Sequence, residues 1–218
     1  MSNNLQNKMF AYCAGVMIIL RMRNNLSSGV YRHHKGKYYR LITVCDLRKT
    51  QEPHVVYQEL HGDCRVWLRP LDEFVARFQF VPDNELTVSI DKVGLLFIRD
   101  RKVLMTRTKG HTTPLQPGGK RDGDETDLQC LSREIKEELG CELDVNSAQL
   151  FGVYYAQAWN KPDGAMIRMP MYFANLLGEP KANAEIEEIL WYSYKNRDTI
   201  PNAAKLIFDD LHSRGLID

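Results

Sequence analysis

Apolar and polar positions along this chain fall into two regimes. From Gly29 to about Phe78 the apolar residues come in short runs rich in β-branched and aromatic side chains: "KYYRLITVCDL", "EPHVVYQEL" and "CRVWLRP". Runs of this kind predict strands, and "HGD" at 61–63 supplies a turn between the second and third. They predict a small, twisted antiparallel sheet or barrel, closed at "LDEFVARF" (71–78) by one or two helical turns. "VPDNE" (81–85) marks a join, a proline and Asp-Asn between two apolar segments. Beyond it, "LTVSIDKVGLLFIRDRKVLMTRT" predicts a β-hairpin turning at "RDRK". Further strands are predicted at "AQLFGVYYAQAW", "IRMPMYFANLLG" and "EILWYSY". The last segment, "NAAKLIFDDLHSRGL", has the apolar spacing of a helix. Strands and helices are mixed and strand-rich in order, which favours an α+β fold over an alternating parallel sheet.

The best-signalled element is a helix at 127–139. Thr126 is a good N-cap, Gln129 completes a capping box with it, and Gly140 is a good stop. Leu128, Leu131, Ile135 and Leu139 recur at three- and four-residue spacing and form the buried stripe. Glu134, Glu137 and Glu138 share one edge beside that stripe, where charge is partly desolvated. Like charges so spaced repel, by a few tenths of a kcal/mol per pair.

Charge is unevenly distributed. Residues 1–80 carry 12 Lys/Arg against 6 Asp/Glu, and residues 81–218 carry 17 against 22, a split that suggests two modules with different partners. The five cysteines (Cys13, Cys45, Cys64, Cys130 and Cys141) form no C-x-x-C pair, which argues against a zinc site or a disulfide framework and for reduced thiols in a cytosol. The apolar run "MFAYCAGVMIIL" (9–20) is short of the roughly 20 residues a bilayer span needs. Residues 1–28 therefore read as an extension of uncertain status, residues 29–80 as a small basic β-rich domain, and residues 84–218 as a second domain. No membrane association is expected.

Clustered carboxylates raise one another's proton affinity unless a cation neutralises them. A hard divalent ion with oxygen ligands does so, and Mg²⁺ commonly keeps waters while engaging substrate phosphates. Gly118 and Gly119 would let the loop backbone approach such an ion and offer it a carbonyl oxygen. Arg133 is expected to point away from the trio and to hold Glu125 by a bidentate pair.

The full spacing runs Gly119, five residues, Glu125, seven residues, Arg133-Glu134-Ile135, one residue, Glu137-Glu138, one residue, Gly140-Cys141. This resembles the signature of the Nudix hydrolases at every fixed position, and "PGGK" and "EIEEILWYSY" extend the likeness over residues 84–218. The resemblance implies an α/β/α sandwich on a mixed sheet. It implies hydrolysis, with Mg²⁺ or Mn²⁺, of a nucleoside diphosphate linked to another moiety. Carried over by position, Glu134, Glu137 and Glu138 are the metal carboxylates, with the carbonyl of Gly119 or Gly118 as a further ligand. Glu125 is a supporting acid oriented by Arg133. A later acid often completes such a site, and Glu185, Glu187 and Glu188 are the candidates. In "WNKPDGAMIR" (159–168), read as a loop over the substrate or a plain hairpin turn, Trp159 and Arg168 are candidate substrate contacts, with Glu188 a third.

The chain lacks the proline of ADP-ribose-type members at its usual place, Tyr154 and Tyr155 fall early for the dinucleoside-polyphosphate type, and the NADH and coenzyme A motifs are absent. What remains resembles a generic MutT-type member. A nucleoside triphosphate is the first substrate expected and a nucleotide sugar the second. A Nudix-fold protein that binds nucleotide or RNA without turnover is the rival reading.

The front module is similar to a short uncharacterised bacterial domain. In it, Arg32, Lys35, Lys37, Arg40, Arg65 and Arg69 interleave with Tyr31, Tyr38, Tyr39 and Trp67. That composition suits either a stacking-and-charge surface for single-stranded nucleic acid or a solvated basic face. A cytoplasmic location is expected, and a homodimer is left open.

Overall fold

A computed structural model describes residues 26–218. The apolar run at 9–20, and most of the extension assigned to 1–28, lie outside the described residues. The described chain divides into two compact units. One comprises residues 26–59 with Arg65–Leu86, and the other Leu60–Cys64 with Thr87–Asp218.

The first unit carries strands β1 (Gly29–His33), β2 (Tyr38–Asp46), β3 (Pro53–Glu59), β4 (Val66–Pro70) and β5 (Phe78–Val81), with helix α1 (Leu71–Arg77) before the last. All its pairings are antiparallel, in the order β4-β3-β2-β1-β5. Of the two forms expected, this is the open sheet rather than the barrel. Its core is aromatic: Phe74 of α1 and Phe78 stack at 4.3 Å, and Tyr31 and Tyr57 each meet Phe74 at 5.2 Å. Tyr39 packs on Tyr57 and Phe78 at the margin of this cluster. Two of the four aromatics expected at a stacking surface, Tyr31 and Tyr39, are therefore committed to the core.

The second unit contains strands β6 (Val88–Asp91), β7 (Gly94–Leu96), β8 (Ile98–Arg99) and β9 (Lys102–Thr108). Helix α2 (Asp127–Leu139) follows, then strands β10 (Glu142–Gln157), β11 (Met166–Leu177) and β12 (Ile186–Tyr192), and helix α3 (Asn202–Ser213). One sheet is mixed: β10 pairs antiparallel with β11, which pairs in parallel with β6 and β7. The other runs β12-β9-β8. The expected hairpin turns at Asp100 and Arg101, both at positive φ (49° and 58°), the geometry that matches strand twist. Such a φ is unusual for arginine. Here Arg101 is anchored by its Nη1 to the Gly215 carbonyl at 2.9 Å and by an ion pair to Asp218.

Strand β10 begins before the segment expected. Asp144 and Ser147 bend its first half through a bulge, the Ser147 hydroxyl donating to the Asp144 carbonyl at 2.7 Å. Helix α2 lies against a core of Val93, Leu95, Leu104, Leu143 and Ala174 through Leu131, Ile135 and Leu139. Trp191 packs against the same core. Helix α3 buries Ala203, Leu206, Ile207 and Leu211, and its Asp210 accepts the Tyr154 hydroxyl at 3.0 Å. No helix among the described residues is long and apolar enough to cross a membrane.

Candidate active site

Helix α2 starts and stops as its sequence dictates. The Thr126 hydroxyl accepts from the Gln129 N–H, the Gln129 side chain returns the bond to the Thr126 N–H, and Gly140 ends the helix at φ 61°. These fixed ends set the azimuth of every side chain between them.

The three glutamates occupy three environments. Glu138 is buried, at 7% exposure, and its Oε2 accepts the Gly118 N–H at 2.9 Å. Burial pushes its carboxyl up to about 7, against the pull of Lys92 and the Gly118 N–H, with Glu134 and Glu185 adding to the rise. Glu134 is half-buried, and Glu137 stands in solvent. The expectation that all three sit at the border of the core is thus met by Glu134 alone.

Arg133 does not point away from the trio. It grips Glu125 through Nε and Nη2, both at 2.8 Å, and Nη1 reaches Glu134 Oε1 at 2.8 Å and Glu137 Oε2 at 3.5 Å. Its place on the helix surface between the loop acid and the helix acids lets one planar fork serve both. The guanidinium holds Glu125 down at about 2, helped by the Asp122 N–H. Among the described residues no three acids, histidines or cysteines converge as a ready-made metal cage.

The glycine pair has two distinct duties. Gly118 sits at φ 126°, and a Cβ there would come within 2.2 Å of the Val93 carbonyl oxygen. A Cβ on Gly119 would come within 1.9 Å of Glu134 Oε1, so this glycine makes room for the Glu134 carboxylate. Gly119 is the poorer carbonyl donor, because its oxygen already accepts the Val93 N–H at 2.9 Å and the Cys130 thiol at 3.5 Å. The Gly118 carbonyl accepts no hydrogen bond among the described residues. Gly118→Ala is expected to destabilise the fold by about 1–3 kcal/mol through backbone strain. Gly119→Ala should instead displace Glu134, lowering activity with little change in a denaturation curve. Urea unfolding of both variants beside a turnover assay separates the two.

The remaining expected residues are dispersed. Glu188 and Glu187 both pair with Arg107, at 2.8 and 3.4 Å. Trp159 is exposed on the turn between β10 and β11. Arg168 lies inside β11, not in a loop, and its guanidinium pairs with Asp91 at 3.1 Å. Asp91 also binds Arg121, which binds Asp127, whose other oxygen accepts the Tyr172 hydroxyl at 3.0 Å. This chain ties the loop before α2 to strands β6 and β11. It had no signal in the sequence, since its members are scattered and joined only by the fold. Lys92, which acts on Glu138, carries no signal in the sequence for the same reason.

A loop–helix motif with a buried carboxyl beside a glycine pair is thus mounted on a mixed sheet. The Nudix domain model matches residues 89–209, and the chain belongs to the Nudix family. It is a Nudix hydrolase, of a family that acts on nucleoside diphosphate-linked substrates with divalent metal ions. Residues 29–82 match a second model, described as a protein of unknown function (DUF1653). Among solved structures, the chain is similar to a MutT Nudix hydrolase from Burkholderia pseudomallei (28% identity, TM-score 0.41, covering 51% of this chain and 86% of that one). It is similar also to the E. coli ORF135 protein (21%, 0.47, covering 61% and 94%) and to a MutT protein from Methanosarcina mazei Go1 (18%, 0.46, covering 58% and 94%). Comparison with curated protein sequences finds no match.

Proposed function

We propose that this protein hydrolyses the pyrophosphate bond of a nucleoside triphosphate, with a nucleotide sugar as the second substrate class, and that Mg²⁺ or Mn²⁺ is its metal. The observation that carries this reading is the carboxyl of Glu138, buried against the Gly118–Gly119 loop and one helical turn from Glu134. The donor set fits a hard divalent ion: all oxygen, two carboxylates of α2 set against one loop, and the Gly118 carbonyl, without a competing hydrogen bond among the described residues.

Glu134, Glu137 and Glu138 would hold the metal, with the Gly118 carbonyl as the backbone ligand. When bound, such an ion neutralises pyrophosphate charge and makes water a better nucleophile at neutral pH. The chain's own residues do the positioning. Arg133 fixes Glu125 and Glu134 relative to each other through one fork. The Gly118 N–H fixes the orientation of Glu138. Glu185 is our choice of downstream acid, because it acts on Glu138 while Glu187 and Glu188 are engaged by Arg107.

A hydrolysis screen over a nucleotide library, with Mg²⁺ and then Mn²⁺ and products read by mass, tests the reading. Release of a nucleoside monophosphate and pyrophosphate from a triphosphate supports it. Cleavage confined to nucleotide sugars would move the protein to the second class, and binding without turnover across the library would support the rival reading.

A further inference from the structure

The first unit carries a basic hollow, away from the acidic helix in sequence and of opposite charge. Strand β1 ends in Arg32 and His33, and the turn that follows presents His34 and Lys35. Helix α1 ends in Arg77, and β5, paired with β1, places Gln79 beside Arg32. Between them lies a hollow of about 480 Å³ lined by Arg32, His33, His34, Arg77, Phe78 and Gln79, among others, with no Asp or Glu on its walls. That volume is within the usual range of small-ligand sites.

The cations here are poorly neutralised. The Arg32 guanidinium lies 5.7 Å over the Tyr38 ring and has no carboxylate partner among the described residues. Among the described residues Arg77 pairs only with Glu73, at 3.9 Å, and Glu73 is already held by Arg69 at 3.1 Å. The rings of His33 and His34 are 4.1 Å apart, an approach that two imidazolium ions would oppose. His33 Nδ1 accepts the Lys35 N–H at 3.2 Å, so the neutral ring carries its proton on Nε2. Burial, then His34, Lys35, Arg69 and Arg77, pushes His33 below the usual histidine range, as expected in a pocket of positive potential.

We propose that this groove binds a phosphate-bearing small molecule, of the inorganic phosphate or nucleotide monoester class. Guanidinium forks and imidazole N–H groups are the donors that phosphate oxygens select. A nucleic-acid strand is disfavoured by the placement of the aromatics. Tyr31 and Tyr39 are taken up by the core, and exposed Trp67 lies on β4, the far edge of the sheet from the β1–β5 seam. Tyr38 is the one of the four aromatics that borders the groove, and its ring is covered by the Arg32 guanidinium, which leaves a strand little to stack on.

The test uses the full chain with EDTA, so that no metal-dependent binding at the acidic helix intervenes. Inorganic phosphate and then AMP are titrated while the imidazole signals of the six histidines are followed by NMR. The His33 and His34 signals, assigned with His34→Gln, should move saturably and the other four should not. Arg32→Gln and Arg77→Gln should each weaken binding by about tenfold or more, as loss of a charge-assisted donor does. Both side chains are exposed, so folding should be unaffected, and nucleotide hydrolysis with Mg²⁺ should be unchanged. Unmoved His33 and His34 signals, or wild-type phosphate affinity in both arginine variants, would overturn the proposal. So would tighter binding of oligonucleotides lacking terminal phosphates, increasing with length, which would make the groove part of a nucleic-acid surface.

Discussion

Glu138→Gln is expected to lower turnover by at least about 10²-fold on the best substrate from the nucleotide screen. Electrostatic groups lost from a metal-assisted site typically cost several kcal/mol of transition-state stabilisation. The substitution keeps the side-chain shape and keeps an oxygen able to accept the Gly118 N–H, so the loss isolates charge from packing. Glu134→Gln should act alike, because Glu134 lies on the same glycine pair. Glu137→Gln is expected to fall in the same direction but less steeply, since Glu137 stands in solvent. The assay to run is steady-state hydrolysis at saturating metal, with circular dichroism to verify the fold. Full activity in Glu138→Gln would reduce the helix to a charged surface.

The same substitution should stabilise the metal-free protein, and by an amount that depends on pH. Burial raises the Glu138 carboxyl from 4.5 to about 7 in the folded chain. A raised carboxyl favours the folded state's protonated form. Its stability contribution is therefore complete below pH 4.5 and is lost as pH rises through about 7. The loss across that window is about 3 kcal/mol, from the size of the shift. Glutamine has no proton to lose. The stability gap between Glu138→Gln and wild type should open from near zero below pH 4.5 to about 3 kcal/mol above pH 7, with the variant the firmer. Urea denaturation in EDTA at both ends of the window measures it. Other acids titrate in the same range, but they are common to both proteins and cancel in the difference. Added Mg²⁺ should narrow the gap, because a ligand of the native state stabilises only the protein that binds it. A gap independent of pH would mean that Glu138 stays ionised in the folded chain.

The parts of the fold that were legible in the sequence are those written locally. Thr126, Gln129 and Gly140 define α2 because caps act on backbone groups only a few residues away. The turn at Asp100 and Arg101 is local in the same sense. Burial is not local. Glu134, Glu137 and Glu138 share a helix edge in the sequence, but what faces each one decides its chemistry. The Gly118 loop covers Glu138, Arg133 and Gly119 flank Glu134, and Glu137 faces water. The direction of Arg133 is not legible locally, because its partners come from both the loop and the helix. Whether Tyr31 and Tyr39 face a stacking surface or the core is open in the sequence, because a strand's alternation separates two faces without saying which is inside. The barrel alternative was open for a related reason: runs of strand-forming residues do not specify whether the outer strands meet. β5 is only four residues long, too brief to register as a strand against the end of α1. Arg168 falls in both the predicted loop at 159–168 and the predicted strand after it, because Pro162 and Gly164 signal a turn whose length they do not fix.

The central claim is that the acidic edge of α2 is a divalent-metal site and that its repulsion belongs to the metal-free state. Titration of the full-length protein with Mn²⁺, following free ion by electron paramagnetic resonance, tests it most directly. Wild type should bind Mn²⁺ saturably, and Glu138→Gln should bind it at least about tenfold more weakly. Equal affinity in the two proteins, or no saturable binding by the wild type, would contradict it.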